Sequence, residues 1–258
     1  MTGMSDPTTA RGVLVTGASG GIGRAIAAAF AARGDRVAVH YFSRRDDAAA
    51  TLASLSGDGH AIVGGDLGDP DATEAVVDRA VEALDGLDVV VNNAAALTPR
   101  HAPAEASYGD WQRAWRHIIG INVLGAANVS YCAARHMIDR GRGGRIVNVG
   151  SRGAFRGEPD YPAYGASKAA LHSLGQSLAI SLAPHGIAVA SVAPGFVATD
   201  RVADRLAGDG GAAIRAQSPF NRVASPAEVA AAVVYLASPG AAWSSGAILD
   251  VNGASYLR

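Results

Sequence analysis

Residues 16–23 read TGASGGIG and stand between a short apolar run and an alanine-rich stretch with helical periodicity. Gly17 permits a tight turn out of a strand, Gly21 lets the backbone approach a pyrophosphate, and Gly23 allows the following helix to pack closely on a sheet. The amino end of that helix would face the anion. A P-loop is excluded, because no Gly-Lys-Ser/Thr sequence follows at the required spacing. The stretch therefore predicts a dinucleotide site at a strand–turn–helix junction.

On both sides of this turn, short β-branched runs alternate with helical patterns. The alternation predicts an α/β protein with a three-layer, doubly wound Rossmann fold and a seven-stranded, mostly parallel sheet. Predicted strands cover residues 12–16, 36–41, 61–64, 87–91, 145–149, 188–192 and 247–251. Predicted helices cover residues 22–33, 46–55, 70–84 (opened by Asp69 or Pro70), 108–140, 162–183 and 226–237 (capped by Ser225). Residues 194–221 lack a regular pattern, and no linker divides residues 1–258, so one domain is expected.

Composition and charge exclude several classes of protein. Hydrophobic residues make up 49% of the chain, charged residues 17%, and the formal net charge is -1. A packed globular protein without a nucleic-acid or anionic membrane partner is expected from this balance. Apolar stretches such as residues 229–237 are far shorter than the ~20 residues of a membrane span. Residues 1–11 do not resemble a signal peptide and Cys132 is the only cysteine, so we expect a cytoplasmic protein without disulfides or a metal site.

Tyr164 and Lys168 lie four residues apart and therefore on one face of a predicted helix. Lys168 is the only lysine among the 22 lysine and arginine residues. Lysine carries a compact ammonium group, whereas arginine carries a planar fork. An unperturbed phenol has a pKa of about 10, and a neighbouring ammonium favours the phenolate. Tyr164 is thus a candidate proton donor or acceptor, and Lys168 the cation that activates it.

The glycine spacing Thr-Gly-x-x-x-Gly-x-Gly and the Tyr-x-x-x-Lys pair resemble those of the short-chain dehydrogenase/reductase family. Residues 92–95, Asn-Asn-Ala-Ala, are similar to the family's Asn-Asn-Ala-Gly, with Ala95 in place of the glycine. Residues 66–67 resemble its adenine-contacting pair, and residues 194–199 its segment for the nicotinamide carboxamide. The resemblance covers nearly the whole chain. Within the family, the overall pattern is similar to that of 3-oxoacyl-[acyl-carrier-protein] reductases and related carbonyl reductases.

This resemblance implies an oxidoreductase that transfers hydride between NAD(P)(H) and a ketone or secondary alcohol. The implied catalytic residues are Asn122, Ser151, Tyr164 and Lys168. Ser151 would hold the substrate carbonyl, Asn122 would support a relay of protons through water and lysine, and Lys168 would also hold the ribose. Ser151, Arg152, Tyr161 and Tyr164 are expected to contact the substrate. The expected cofactor contacts are Gly17, Ser19, Gly21, Ile22, Gly23, Tyr41, Ser43, Arg44, Asp66, Leu67, Asn93, Ala94, Tyr164, Lys168, Pro194, Gly195, Val197 and Thr199.

The end of the second predicted strand bears on the choice of cofactor. NAD-selective enzymes carry an acidic residue there to bind the ribose diol, and Tyr41 occupies that position. Ser43, Arg44 and Arg45 follow and could bind a 2'-phosphate. Gly20, however, stands where NADP-preferring relatives often have a basic residue. NADP(H) is therefore the predicted cofactor, and NAD(H) stays open.

The sequence leaves the substrate open. Residues 199–221, with glycines at their tip, predict a mobile lid. Arg152 and Arg156 could attract a carboxylate or an acidic acyl carrier. The alternatives are an NAD-dependent sugar, polyol or steroid alcohol dehydrogenase and a catalytically silent NADP(H)-sensing protein. The resemblance also implies a homotetramer, or a homodimer, with interfaces at residues 226–251 and along the helices that begin near Tyr108 and Pro162.

Overall fold

The computed structural model describes residues 10–258, and at its centre lies a sheet of seven strands in the order β3-β2-β1-β4-β5-β6-β7. Every neighbouring pair of strands is parallel. The predicted doubly wound α/β fold is confirmed, and its sheet is wholly parallel rather than mostly so. The strands are β1 (Gly12–Val15), β2 (Arg36–Tyr41), β3 (Ala61–Gly64), β4 (Val89–Asn92), β5 (Gly144–Val149), β6 (Ile187–Pro194) and β7 (Ile248–Val251).

Helices cover both faces of this sheet. Strand β1 shows how the sequence achieves this, because successive side chains of a strand point to opposite faces. Val13 and Val15 belong to one buried core and Leu14 to the other. The first core is completed by α1 (Gly21–Ala31), α2 (Arg45–Ala53) and α10 (Pro226–Leu236), and the second by α3 (Pro70–Ala83), α5 (Ala126–Arg140) and α7 (Pro162–Leu182). The remaining helices are α4 (Tyr108–Ile119), α6 (Gly153–Arg156), α8 (Asp200–Ala207) and α9 (Gly211–Arg215).

The two helices for which the sequence predicts a capping residue, α3 and α10, carry the expected caps. Asp69 precedes α3 and its carboxylate accepts a hydrogen bond from the backbone N–H of Asp71. Ser225 precedes α10 and forms a reciprocal capping box with Glu228. Each cap satisfies backbone donors that the first turn of a helix leaves without a partner.

The structure differs from the sequence prediction in three respects. The helix predicted over residues 108–140 contains a wide π-helical turn, Gly120–Gly125, between α4 and α5. The stretch predicted to be irregular contains α8 and α9. Short helices at α6, Ala183–His185 and Pro239–Ser244 were not predicted, because three to six residues are too few to show a helical period.

The continuous helical stretch Tyr108–Arg140 is, by length and composition alone, long and apolar enough to cross a membrane. Within the fold, however, α4 packs against α7 and α5 packs against α3. These contacts are typical of a core helix, which passes the same test. The absence of a membrane partner stays a prediction. The expectation that residues 1–11 carry no signal peptide falls largely on residues 1–9, which lie outside the described part of the chain.

Candidate active site

A cavity of about 780 Å³ opens at the carboxyl ends of the strands, beside the switch point between β1 and β4, from which the connections to β2 and to β5 run in opposite directions. Ligands of open parallel sheets bind at such switch points. Of the predicted cofactor residues, all except Tyr41 line this cavity, and so do the predicted substrate residues Ser151, Arg152, Tyr161 and Tyr164. Asn122 lies behind its wall.

The glycine turn is fixed to the neighbouring strand by two polar side chains. Thr16 Oγ1 accepts hydrogen bonds from the backbone N–H groups of Asn93 and Ala94, at 2.9 and 3.0 Å. In return, Asn93 Nδ2 donates to the backbone oxygens of Thr16 and Gly17, at 2.9 and 3.1 Å. The ends of β1 and β4 therefore hold each other in one arrangement.

The turn itself has the shape that a dinucleotide requires. Gly17 and Gly21 adopt φ values of 64° and 55°, which favour glycine. A Cβ at Gly23 would collide with the Gly17 carbonyl oxygen and lie 2.6 Å from Asn93 Nδ2. The N-terminus of α1 has no side-chain cap, so its first N–H groups remain available to an anion. The residues present thus fit a nicotinamide dinucleotide, whose pyrophosphate Gly21 and the N-terminus of α1 would hold, and whose nicotinamide end residues 194–199 and Tyr164 would hold.

His40, which sequence reasoning missed, joins this turn to the outer strands. Its Nδ1 accepts a hydrogen bond from the Gly17 N–H at 3.0 Å, and its Nε2 lies 3.1 Å from the Gly65 oxygen. Both contacts are satisfied together by the neutral ring with its proton on Nε2. Burial lowers the pKa of His40 to about 4. A histidine at the end of the apolar run Val37–Val39 was the available signal.

Tyr164 and Lys168 project from the first two turns of α7, as their spacing predicts. Lys168 is 2% exposed, its Nζ donates to the Val149 oxygen at 2.8 Å, and this nitrogen lies 5.7 Å from the centroid of the Tyr164 ring. Burial, with a further contribution from the charge of Arg201, lowers the pKa of Lys168 to about 7. Burial also raises the pKa of Tyr164, and a hydrogen bond with Ser151 opposes that rise.

Asn122 sits in the π-helical turn, which is frequently a feature of functional sites. Its Oδ1 accepts from the Ala96 N–H at 2.7 Å, and its Nδ2 donates to the Ala96 oxygen and to Ser167 Oγ, each at 2.9 Å. Ser167 Oγ donates in turn to the Tyr164 backbone oxygen at 2.8 Å. Asn122 therefore connects the segment after β4 to the helix that carries Tyr164. Its role in a proton relay stays a prediction.

Of the cofactor residues predicted at the end of β2 and just after it, two line the cavity and one does not. Tyr41 turns away from the cavity, so that a Cβ at Gly64 would lie 2.6 Å from its ring. Ser43 and Arg44 line the cavity. The Arg44 guanidinium lies 3.5 Å from where a Cβ at Gly20 would be. A basic group thus reaches the space beside Gly20 from the turn between β2 and α2.

Arg152 is buried and occupied by protein partners. Its guanidinium donates to Ser255 Oγ at 2.6 Å and to the Gln217 side-chain oxygen at 2.9 Å. Arg156 donates to the same Gln217 oxygen at 2.8 Å. Gln217 belongs to the segment predicted to be a lid, so these two arginines hold that segment down. Because the Arg152 guanidinium already donates to Ser255 and Gln217, these contacts do not support the prediction that Arg152 attracts an acidic substrate.

The contacts of His40 predict a pH-dependent stability. Its folded pKa of about 4 lies below the ordinary histidine value of 6.5, so the unfolded chain takes up a proton first and the folded state loses stability as pH falls from 6.5 to 4. We expect His40→Asn, whose Oδ1 can accept from Gly17, to lack this dependence. The advantage of wild type over the variant in free energy of unfolding should shrink by about 3 kcal/mol across that range.

Urea unfolding at several pH values measures this difference. His172, whose pKa burial also lowers to about 4, is present in both proteins and cancels in the comparison. Parallel stability profiles for the two proteins would show that His40 is not held neutral by these contacts.

Comparisons with known proteins agree with this geometry. A family model described as Enoyl-(Acyl carrier protein) reductase matches residues 17–254. The chain is 37% identical over 249 residues to an L-rhamnose 1-dehydrogenase (NAD(P)(+)) of Sphingomonas sp. (strain SKA58), covering 95% of this chain and 96% of the relative. It is 37% identical over 250 residues to a cis-4-hydroxycyclohexanecarboxylate dehydrogenase of Sinomonas cyclohexanicum, covering 97% and 98%.

The crystal structure of a 3-ketoacyl-(acyl-carrier-protein) reductase from Brucella melitensis, complexed with NADH, superposes with a TM-score of 0.86 at 27% identity, covering 96% of this chain and 98% of that one. The fold is therefore the one that the sequence resemblance implied, and the roles of Ser151, Tyr164 and Lys168 stay predictions. The chain belongs to the short-chain dehydrogenase/reductase family and is an oxidoreductase that acts on alcohol and ketone groups.

Proposed function

We propose that this protein is an NADP(H)-dependent oxidoreductase that interconverts a ketone and a secondary alcohol. The observation that carries the choice of cofactor is the position of Arg44, beside the helix N-terminus that suits a pyrophosphate. A guanidinium binds a phosphate through parallel charged hydrogen bonds. Tyr41, which takes the place of a ribose-binding acid, does not line the cavity.

When bound, the nicotinamide would supply or accept the hydride at the substrate carbon. Ser151 Oγ holds the substrate oxygen, and the Tyr164 phenol gives that oxygen a proton in reduction or removes one in oxidation. The Lys168 ammonium stabilises the phenolate form of Tyr164. Of its three donors, Val149 takes one, which leaves two for the ribose hydroxyls.

Two other functions remain as alternatives. An NAD-dependent sugar or polyol dehydrogenase is supported by the names of relatives that act on L-rhamnose and on a hydroxylated cyclohexane ring. A 3-oxoacyl substrate is supported by the Brucella melitensis neighbour. A silent NADP(H)-sensing protein is disfavoured, because Asn122, Ser151, Tyr164 and Lys168 are all present. A cytoplasmic location stays a proposal that rests on the single cysteine.

Apolar side chains on the outer surface support a homotetramer. Leu124, Tyr131 and Ile180 are 58%, 68% and 80% exposed on the turn before α5, on α5 and on α7. Tyr235 and Trp243 are 53% and 101% exposed near β7. The two groups lie in the regions where the family resemblance implied interfaces, and large exposed apolar groups mark association surfaces.

Tyr164→Phe removes the proton donor and leaves the ring in place. We expect kcat to fall about 10² to 10⁴-fold, the contribution typical of a general acid. The affinity for NADPH, measured by its fluorescence, should change little. Tyr161→Phe is the matched control, because Tyr161 also lines the cavity, and it should keep most of its turnover. Equal loss in both variants would contradict the role of Tyr164.

Arg44→Ala tests the choice of cofactor. Loss of charged hydrogen bonds worth about 1.5–3 kcal/mol should raise the KM for NADPH about 10 to 100-fold and leave the KM for NADH nearly unchanged. Arg45→Ala is the control, because Arg45 does not line the cavity. A wild-type enzyme that prefers NADH would overturn the proposal.

Light scattering after size exclusion tests the assembly. Wild type should elute at four times the mass of the chain. Trp243→Asp places a charge in one apolar group and should halve that mass, because the other interface is untouched. A monomeric wild type would rule out the homotetramer.

A further inference from the structure

Glu158 is a carboxylate in the substrate half of the cavity. It lines the cavity together with Ser151, Tyr161 and Tyr164, and it lies between α6 and α7. A Cβ at Gly153 would lie 2.8 Å from its Cγ, and a Cβ at Gly165 would lie 3.6 Å from its Cβ. The two glycines therefore leave room for this side chain next to the catalytic tyrosine.

The carboxylate has no protein partner in the described part of the chain. Across residues 10–258 it forms no ion pair within 4.0 Å and accepts no hydrogen bond. Burial raises the pKa of Glu158, while the charges of Arg152, Arg156 and Arg205 act in the opposite direction. The carboxylate faces the cavity, so a ligand that displaces its water must bring hydrogen-bond donors in return.

The surroundings restrict the chemical class of that ligand. Arg201 and Arg205 also line the cavity and repel an ammonium group. A substrate carboxylate could pair with Arg205 but would be repelled by Glu158. An unsubstituted acyl chain would remove water from Glu158 and give it no donor in return, which costs free energy. An ammonium group, a carboxylate or an acyl chain would therefore leave at least one charged side chain of the cavity repelled or without a hydrogen-bond partner.

A neutral ring with several hydroxyl groups matches both signs of charge. Its hydroxyls donate to the carboxylate and accept from a guanidinium. Its apolar faces can pack on Tyr161 and on Phe196, which lines the cavity and lies under Arg205, with 5.2 Å between the guanidinium carbon and the ring centroid. A small number of charged and aromatic groups that converge in this way fixes the orientation of a small ligand.

We propose that Glu158 forms a subsite for neighbouring hydroxyl groups of a polyhydroxylated ring, an aldopyranose or a cyclitol, whose reacting carbon lies at Ser151 and Tyr164. The assignment deepens the proposed function and rests on it. It also accounts for an acid beside the proton donor. The negative charge of Glu158 opposes formation of the Tyr164 phenolate, and hydroxyl donors from the substrate would reduce that effect.

The first experiment compares substrates with and without neighbouring hydroxyls. A panel of aldopyranoses and cyclitols is assayed for NADP⁺ reduction beside tetrahydropyran-2-ol and cyclohexanol, which keep the ring and the reacting alcohol only. At least one panel member should exceed both reference alcohols in kcat/KM by tenfold or more. A reference alcohol that equals every panel member would overturn the subsite and leave the proposed function standing.

The second experiment removes the charge. Glu158→Gln should raise the KM for the best panel member by tenfold or more and change the KM for cyclohexanol less than threefold. Asp160→Asn is the matched control, because Asp160 is a neighbouring acid that pairs with Arg100 at 2.8 Å and does not line the cavity. A similar change for both alcohols in Glu158→Gln would contradict a hydroxyl subsite.

A binding measurement separates this inference from the proposed function. Calorimetry on the NADP⁺ complex of Tyr164→Phe measures ring binding without turnover, and the double variant with Glu158→Gln should bind the best ligand of the panel at least tenfold more weakly. Unchanged binding would refute the subsite. Wild-type protein that turns over no alcohol and no cyclohexanone would instead refute the proposed function.

Discussion

The contact between the ends of β1 and β4 is the constraint on which the rest of the site depends. These strands are neighbours in the sheet but are separated in sequence by three crossovers, and at their ends four hydrogen bonds join Thr16 and Gly17 to Asn93 and Ala94. The contact brings the glycine turn against the residues that follow β4. His40 adds a third strand to the same arrangement. The floor of the cavity is thereby rigid before any ligand binds.

The other wall of the cavity depends on this floor through the π-helical turn. Asn122 joins Ala96, four residues beyond β4, to Ser167 on α7. Because Ser167 is bonded to the backbone of Tyr164, the position of the catalytic tyrosine relative to the dinucleotide site is set by a chain of short polar contacts. A site held by rigid elements in this way suits proton transfer, whose efficiency depends on geometry.

Periodic features were predictable from the sequence and local deviations were not. The strands and the long helices follow from a repeat of two or of about 3.6 residues, and the spacing of Tyr164 and Lys168 follows from the helix. The extra width of the turn at Asn122 has no periodic signature, since one inserted residue shifts the register without changing the composition. His40 and Glu158 were missed for another reason: each depends on which residues the fold brings together. Tyr41 shows the same limit, because its place in the chain suggested a ribose contact and its ring lies against Gly64.

The single lysine of the chain can now be explained by its surroundings. Other cations withdrawn from solvent, the half-buried Arg145 and the buried Arg152, are arginines whose pKa burial lowers, and an arginine stays charged in proteins. At position 168 burial lowers the pKa to about 7, so the charge of the side chain responds to whatever binds beside it near neutral pH. Its ammonium also fits between the Val149 oxygen and the Tyr164 ring, where a planar fork would need more room. Replacement of this lysine by the arginine used elsewhere in the chain would therefore fix the charge and crowd the tyrosine, and both effects would act on the group that moves the proton.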